Sequence, residues 1–60
     1  MNFDDYEQIL YKQDDGSGWV AEIPAIEGCH ALMRAPLEAK AELRLVFEMI
    51  EEERREQKNA

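Results

Sequence analysis

Apolar positions along this 60-residue chain follow two rhythms, and the change between them falls at Pro36. Over residues 6–13, Tyr6, Ile9, Leu10 and Tyr11 recur without helical spacing, and Asp14-Asp15-Gly16-Ser17-Gly18 then favours a turn. From Trp19 onward an aromatic or apolar set (Trp19, Ala21, Ile23) alternates with Val20 and Glu22, the period of a strand. Pro24 ends the run because it has no N–H to give to a ladder. Two extended runs joined by a short Gly-bearing loop predict an antiparallel hairpin. Residues 25–28 read as a connector in which Gly28 supplies a backbone angle that other residues resist, and residues 29–34 form a third extended segment.

Pro36 suits the first position of a helix, and residues 37–57 contain no Gly or Pro. Ala39, Leu43, Val46, Phe47 and Ile50 share one side of that helix and predict a stripe facing the core. Leu37, Ala41, Leu45 and Met49 form a second, adjacent stripe, and two readings of it stay open: the margin of the same core, or a contact with another chain. A helix over residues 36–57 is about 33 Å long against about 23 Å for a seven-residue strand, so its last turns overhang. They read Glu51-Glu52-Glu53-Arg54-Arg55-Glu56-Gln57-Lys58, a solvated helix in which Glu51 can meet Arg55 and the late basic residues suit the negative helix end.

The expected architecture is a single α+β domain over residues 1–60. Three antiparallel strands in a meander, at about 5–13, 18–24 and 28–34, precede one long helix, about 36–57, packed on one face. Val20 and Leu32 fall on the opposite face.

Size adds a constraint. A chain this short buries only about 60% of the surface its unfolded form exposes. Its one cysteine, Cys29, cannot form an internal disulfide, and no Cys and His cluster has metal-ligand spacing, so no cofactor or metal is expected. Association with further copies is the remaining source of stability, which predicts a dimer or a dimer of dimers. Candidate contacts, with itself or with another partner, are Val20, Leu32, Leu37, Ala41, Leu45 and Met49. Fourteen acidic against seven basic residues give a net charge of -7. That balance repels phosphate backbones, favours a basic protein partner and argues against direct nucleic-acid binding. No apolar run approaches the roughly 20 residues of a membrane span, and the N-terminus lacks signal-peptide order, so a cytoplasmic protein without membrane contact is expected.

Residues capable of catalysis are few. Cys29 and His30 are neighbours on one predicted strand, so thiol and imidazole point to opposite faces rather than forming a dyad. Asp14 and Asp15 sit in the turn, where such side chains cap backbone donors, and Glu22 stands alone, so the carboxylates do not converge on a metal. Trp19 is expected in the core, with an interface anchor as the rival reading. Arg34, Lys40 and Arg44 are three cations among fourteen acids, a poor site for phosphate.

Gly16-Ser17-Gly18-Trp19 followed by Pro24-Ala25-Ile26-Glu27-Gly28-Cys29 resembles the signature of the HicB-like antitoxin family. That pattern runs from a Gly-bearing turn through an aromatic strand ending in Pro to a Pro-x-x-x-Gly-Cys corner. Leu37-Glu38-Ala39 with Leu43 is similar to the start of the family helix, so the resemblance spans residues 6–50 and marks Gly16, Trp19, Pro24, Gly28 and Cys29 as structural positions. Where family members carry a Gly, an acidic residue and a Ser or Thr cap before the helix, this chain has Met33-Arg34-Ala35-Pro36, a weaker cap. Longer relatives add a DNA-binding segment that has no counterpart here, so operator binding by this chain alone is not expected. The resemblance implies a partial RNase H-like fold and a non-enzymatic role, the capture of a small basic RNA-cleaving toxin of the HicA type. A homo-oligomer of the same fold without a toxin is the alternative.

Overall fold

A computed structural model describes the backbone of residues 2–59 and side chains from Asn2 to Arg55. It contains a 3-10 turn (Phe3–Asp5), strands β1 (Ile9–Lys12), β2 (Trp19–Glu22) and β3 (His30–Met33), and helix α1 (Pro36–Asn59). The strands form one antiparallel sheet in the order β1-β2-β3, with α1 packed on one face, which is the expected β-β-β-α meander.

Each strand is shorter than the sequence pattern predicts. The largest correction concerns the first, which begins at Ile9 rather than near residue 5. The preceding residues turn back instead: Asp5 N–H donates to Asn2 O at 2.9 Å and Tyr6 N–H to Phe3 O at 3.3 Å. This turn frees Phe3 and Tyr6 to meet Phe47 of the helix edge-to-face, with ring centroids 5.5 and 5.6 Å away. Gln8 Nε2 holds the turn by donating to Phe3 O at 3.2 Å, and the Arg44 guanidinium lies 5.7 Å from the Phe3 ring centre. The aromatic gain outweighs extension of an edge strand, because buried aromatic pairs contribute about 0.5–1.5 kcal/mol beyond their area.

The hairpin turn follows its residue types. Gln13 N–H donates to Gly18 O at 2.8 Å, Gly16 N–H to Gln13 O at 3.0 Å, and Gly16 takes φ +76°. Gly18 is required for a different reason: a Cβ built there would lie 2.7 Å from Met33 O of β3, inside contact distance. The corner after β2 is also more than a connector. Ile23 N–H donates to Cys29 O, Ile26 N–H to Ile23 O and Cys29 N–H to Ile26 O, and Gly28 sits at φ +80°. These bonds fold the corner inward and bury Ile26.

Between sheet and helix lies one core of Ala21, Ile23, Ile26, Cys29, Ala31, Ala39, Leu43 and Phe47, with Val46 and Ile50 half-buried against it. The expected core stripe of the helix is therefore the one observed. The second stripe does not border this core. Leu37, Leu45 and Met49 are 80%, 53% and 62% exposed and Ala41 is exposed too, so the core-margin reading is overturned. The geometry explains it: Leu45 follows Leu43 by about 200° of helix rotation and points away from the sheet.

Helix α1 outruns its support. At about 1.5 Å per residue its 24 residues extend roughly 36 Å, whereas a four-residue strand spans about 13 Å, and the molecule measures 42 × 19 × 16 Å. Side chains from Glu52 to Arg55 are exposed, as expected for an overhang. Among the described residues the one ion pair is Arg44 with Glu48 at 3.6 Å rather than Glu51 with Arg55. The expected stabilisation of the helix end by Lys58 lies outside the described side chains.

Candidate functional site

Strand register settles which side chains share each face of the sheet. Tyr11 opposes Val20 and Val20 opposes Leu32, while Ile9 opposes Glu22 and Glu22 opposes His30. Residues opposite one another in an antiparallel pair point the same way. Ala21 and Ala31 belong to the core under the helix, so the rows of Tyr11 and Ile9 form the open face. Val20 and Leu32 therefore lie on the far face, as the alternation predicts. Val20 is the floor of that row at 7% exposure, and its neighbours Tyr11 and Leu32 carry the accessible surface at 45% and 52%.

A second surface is the outer side of α1. At about 100° per residue, Glu38, Glu48, Glu52 and Arg55 share the outward arc with Leu37, Ala41, Leu45 and Met49, and Arg44 at its border pairs with Glu48. The result is an exposed apolar stripe interleaved with carboxylates. Sequence reasoning located the four apolar residues but did not read them together with the acids beside them.

Cys29 and His30 diverge. The thiol is buried in the core while the imidazole is exposed on the open face. Burial raises the Cys29 pKa from its ordinary 9.0, which leaves the sulfur a thiol at neutral pH. Asp15 acts in the turn: its Oδ1 accepts from Ser17 N–H at 2.9 Å. Ser17, through its hydroxyl and its backbone N–H, holds the Asp15 carboxyl below the ordinary 3.8. Trp19 is half-buried and packs against the core. Pro24 is exposed at the start of the corner, and Gly16 and Gly28 hold the positive backbone angles of their turns. Among the described residues no three His, Cys, Asp or Glu side chains group as a metal site, and no pocket opens. No described helix is long and apolar enough to cross a membrane.

Physically, the molecule offers surfaces rather than a cleft: an apolar row on an open sheet face, an unpaired strand edge at each side, and an acidic-apolar helix face. Comparison with protein-family models, curated proteins and solved structures finds no match to this chain.

Proposed function

We propose that this chain is a non-enzymatic protein-binding module of the HicB antitoxin type that captures and neutralises a small basic RNA-cleaving toxin. The observation that carries this reading is the outer face of α1, where Leu37, Leu45 and Met49 stand exposed among Glu38, Glu48 and Glu52. Apolar side chains supply burial on contact, and interleaved carboxylates select a cationic partner and speed its approach. A net charge of -7 acts in the same direction over longer range. The Gly-Ser-Gly-Trp turn and the Pro-x-x-x-Gly-Cys corner support the family reading.

The direct test looks for a small basic reading frame beside the gene and titrates its product calorimetrically against this protein at two salt concentrations. Binding that weakens with salt, and that falls about tenfold or more in the Glu38→Gln/Glu48→Gln/Glu52→Gln variant, is expected. Absence of such a reading frame, or of binding by its product, contradicts the toxin reading.

A second reading, a homo-oligomer of this fold without a toxin, is favoured by the amount of surface left open. A compact 7.0 kDa chain exposes about 4,000 Å² by the usual scaling of area with mass, whereas this one exposes 4734 Å². The two readings are compatible if self-association and toxin capture use different surfaces.

A further inference from the structure

We propose that β1 is a pairing edge for a second copy of this chain, which adds its own β1 antiparallel to make one six-stranded sheet in the order β3-β2-β1-β1-β2-β3. The inference deepens the self-association reading above by naming its surface and register, and it does not depend on a toxin.

Backbone geometry comes first. Gln13 N–H donates to Gly18 O, so alternation along the ladder turns the polar backbone groups of Tyr11 and Ile9 toward β2. Those of Leu10 and Lys12 point outward, where β1 has no neighbouring strand in the described sheet. The same parity applied to Ile23 N–H and Cys29 O leaves His30 and Leu32 facing outward at the β3 edge. Both edges therefore direct backbone donors and acceptors away from the described sheet, and side chains decide between them.

On β3 the residue facing the helix, Ala31, is 6% exposed, so α1 already overlies that edge, and His30 N–H is directed to Gly28 O at 3.2 Å. On β1 all four residues are exposed, including Leu10 at 39% on the helix-facing side. An incoming strand meets apolar side chains on both faces there: Leu10 on one, Ile9 and Tyr11 on the other. The strand also lacks the usual protections of an edge, since it has no Pro, its register with β2 is continuous, and Lys12 is its only charge.

Symmetry then selects a register. A two-fold axis perpendicular to the sheet keeps the faces of both copies aligned, so odd positions oppose odd and even oppose even. Centred on Leu10, the pairing sets Leu10 against its twin, Ile9 against Tyr11 twice, Lys12 against Gln8 and Glu7 against Gln13. No like charges meet. The open-face row Leu32-Val20-Tyr11 continues into the second copy's Ile9, forming cross-strand aromatic and β-branched pairs. By contrast, pairing two copies through the outer helix face would bury Glu38, Glu48 and Glu52 of both copies with only Arg44 and Arg55 to offset them, so that face suits a basic partner better than a second copy.

Sedimentation equilibrium over a hundredfold concentration range tests the proposal with four proteins: the wild type, Leu10→Pro, Leu10→Glu and Leu45→Glu/Met49→Glu. Leu10→Pro removes an outward N–H that has no hydrogen-bond partner among the described residues, so circular dichroism should keep its helical signal while the edge can no longer pair. Leu10→Glu leaves the backbone intact and opposes two carboxylates at the axis, which keeps the test decisive if the proline variant does not fold. The expected result is a wild type reaching at least twice 7.0 kDa, both Leu10 variants near 7.0 kDa, and a helix variant that associates as the wild type does. A wild type at 7.0 kDa throughout overturns both this pairing and self-association. A wild-type oligomer whose mass the Leu10→Glu change leaves unaltered overturns the edge alone, and one dissolved only by the helix variant moves the contact to α1.

Discussion

At the residue scale, individual positions in this small fold matter through distinct physical causes, and two glycines separate them. At Gly18 an added Cβ runs into the Met33 carbonyl, so Gly18→Ala must push β3 aside and should cost about 1–3 kcal/mol. At Gly28 the same substitution meets open space but must hold φ +80°, which costs about 1–2 kcal/mol from backbone strain. Urea unfolding read at the same temperature measures both, and only Gly18→Ala should also disturb amide shifts along β3. Cys29 gives a pH signature. Its thiol pKa is raised in the fold, so the unfolded chain loses that proton first. The contribution is intact below pH 9.0 and is lost as pH rises from there through the higher folded value. Comparing unfolding free energy against pH for the wild type and Cys29→Ala should show a steeper alkaline decline in the wild type. Parallel curves would mean that the thiol titrates alike in both states. Gly16 and Gly28 were legible as turn glycines because Asp-Asp-Gly and Glu-Gly sequences announce turns. Gly18 was not legible, since its reason lies in a carbonyl fifteen residues away.

At the element scale, the helix was the most legible part, because apolar residues keep a helical period from Leu37 to Ile50, residues 37–57 contain no Gly or Pro, and Pro36 marks the start. The N-terminal turn escaped the pattern for a physical reason: Tyr6 and Ile9 look extended locally, and only the presence of Phe47 opposite makes folding back favourable. Ile26 was missed likewise, as a single apolar residue in a corner shows no period. These contacts predict a graded response. Phe47→Ala removes the ring that Phe3, Tyr6 and the core share and should cost about 3–5 kcal/mol, enough to unfold most of a domain this size. Phe3→Ala should cost less, since Phe3 is only half-buried, and should selectively raise hydrogen exchange at Asp5 and Tyr6, whose N–H groups close the turn. Equal losses from the two substitutions would contradict the proposed order, with Phe47 as the hub and Phe3 as a lid.

At the scale of the whole molecule, the fold leaves an unusual share of itself uncovered. One face of a small sheet is open, β1 is exposed on both sides, and α1 runs well past the strands that support it. The sequence pattern identified Val20, Leu32 and the helix stripe as candidate contacts. As contacts it named none of the β1 residues that form the apolar edge suited to a second copy, and it did not set the helix stripe beside its acids, because edge and face emerge only from strand register and helix phase. A consequence is that the two associations should respond oppositely to salt. Pairing through β1 brings together two chains of net charge -7, so it should strengthen as salt screens their repulsion, whereas capture of a basic toxin through α1 should weaken as salt rises.

The proposed neutralisation of such a toxin is tested at its outcome by RNA cleavage. If a small basic protein is encoded beside this gene, it is incubated with RNA alone and with increasing amounts of this chain, in wild-type form and as the Leu45→Lys/Met49→Lys variant. The expected result is cleavage by the basic protein, complete protection once the wild type reaches stoichiometric amounts, and protection lost or shifted to at least tenfold higher concentration in the variant. Cleavage that continues undiminished in the presence of excess wild-type protein would contradict it.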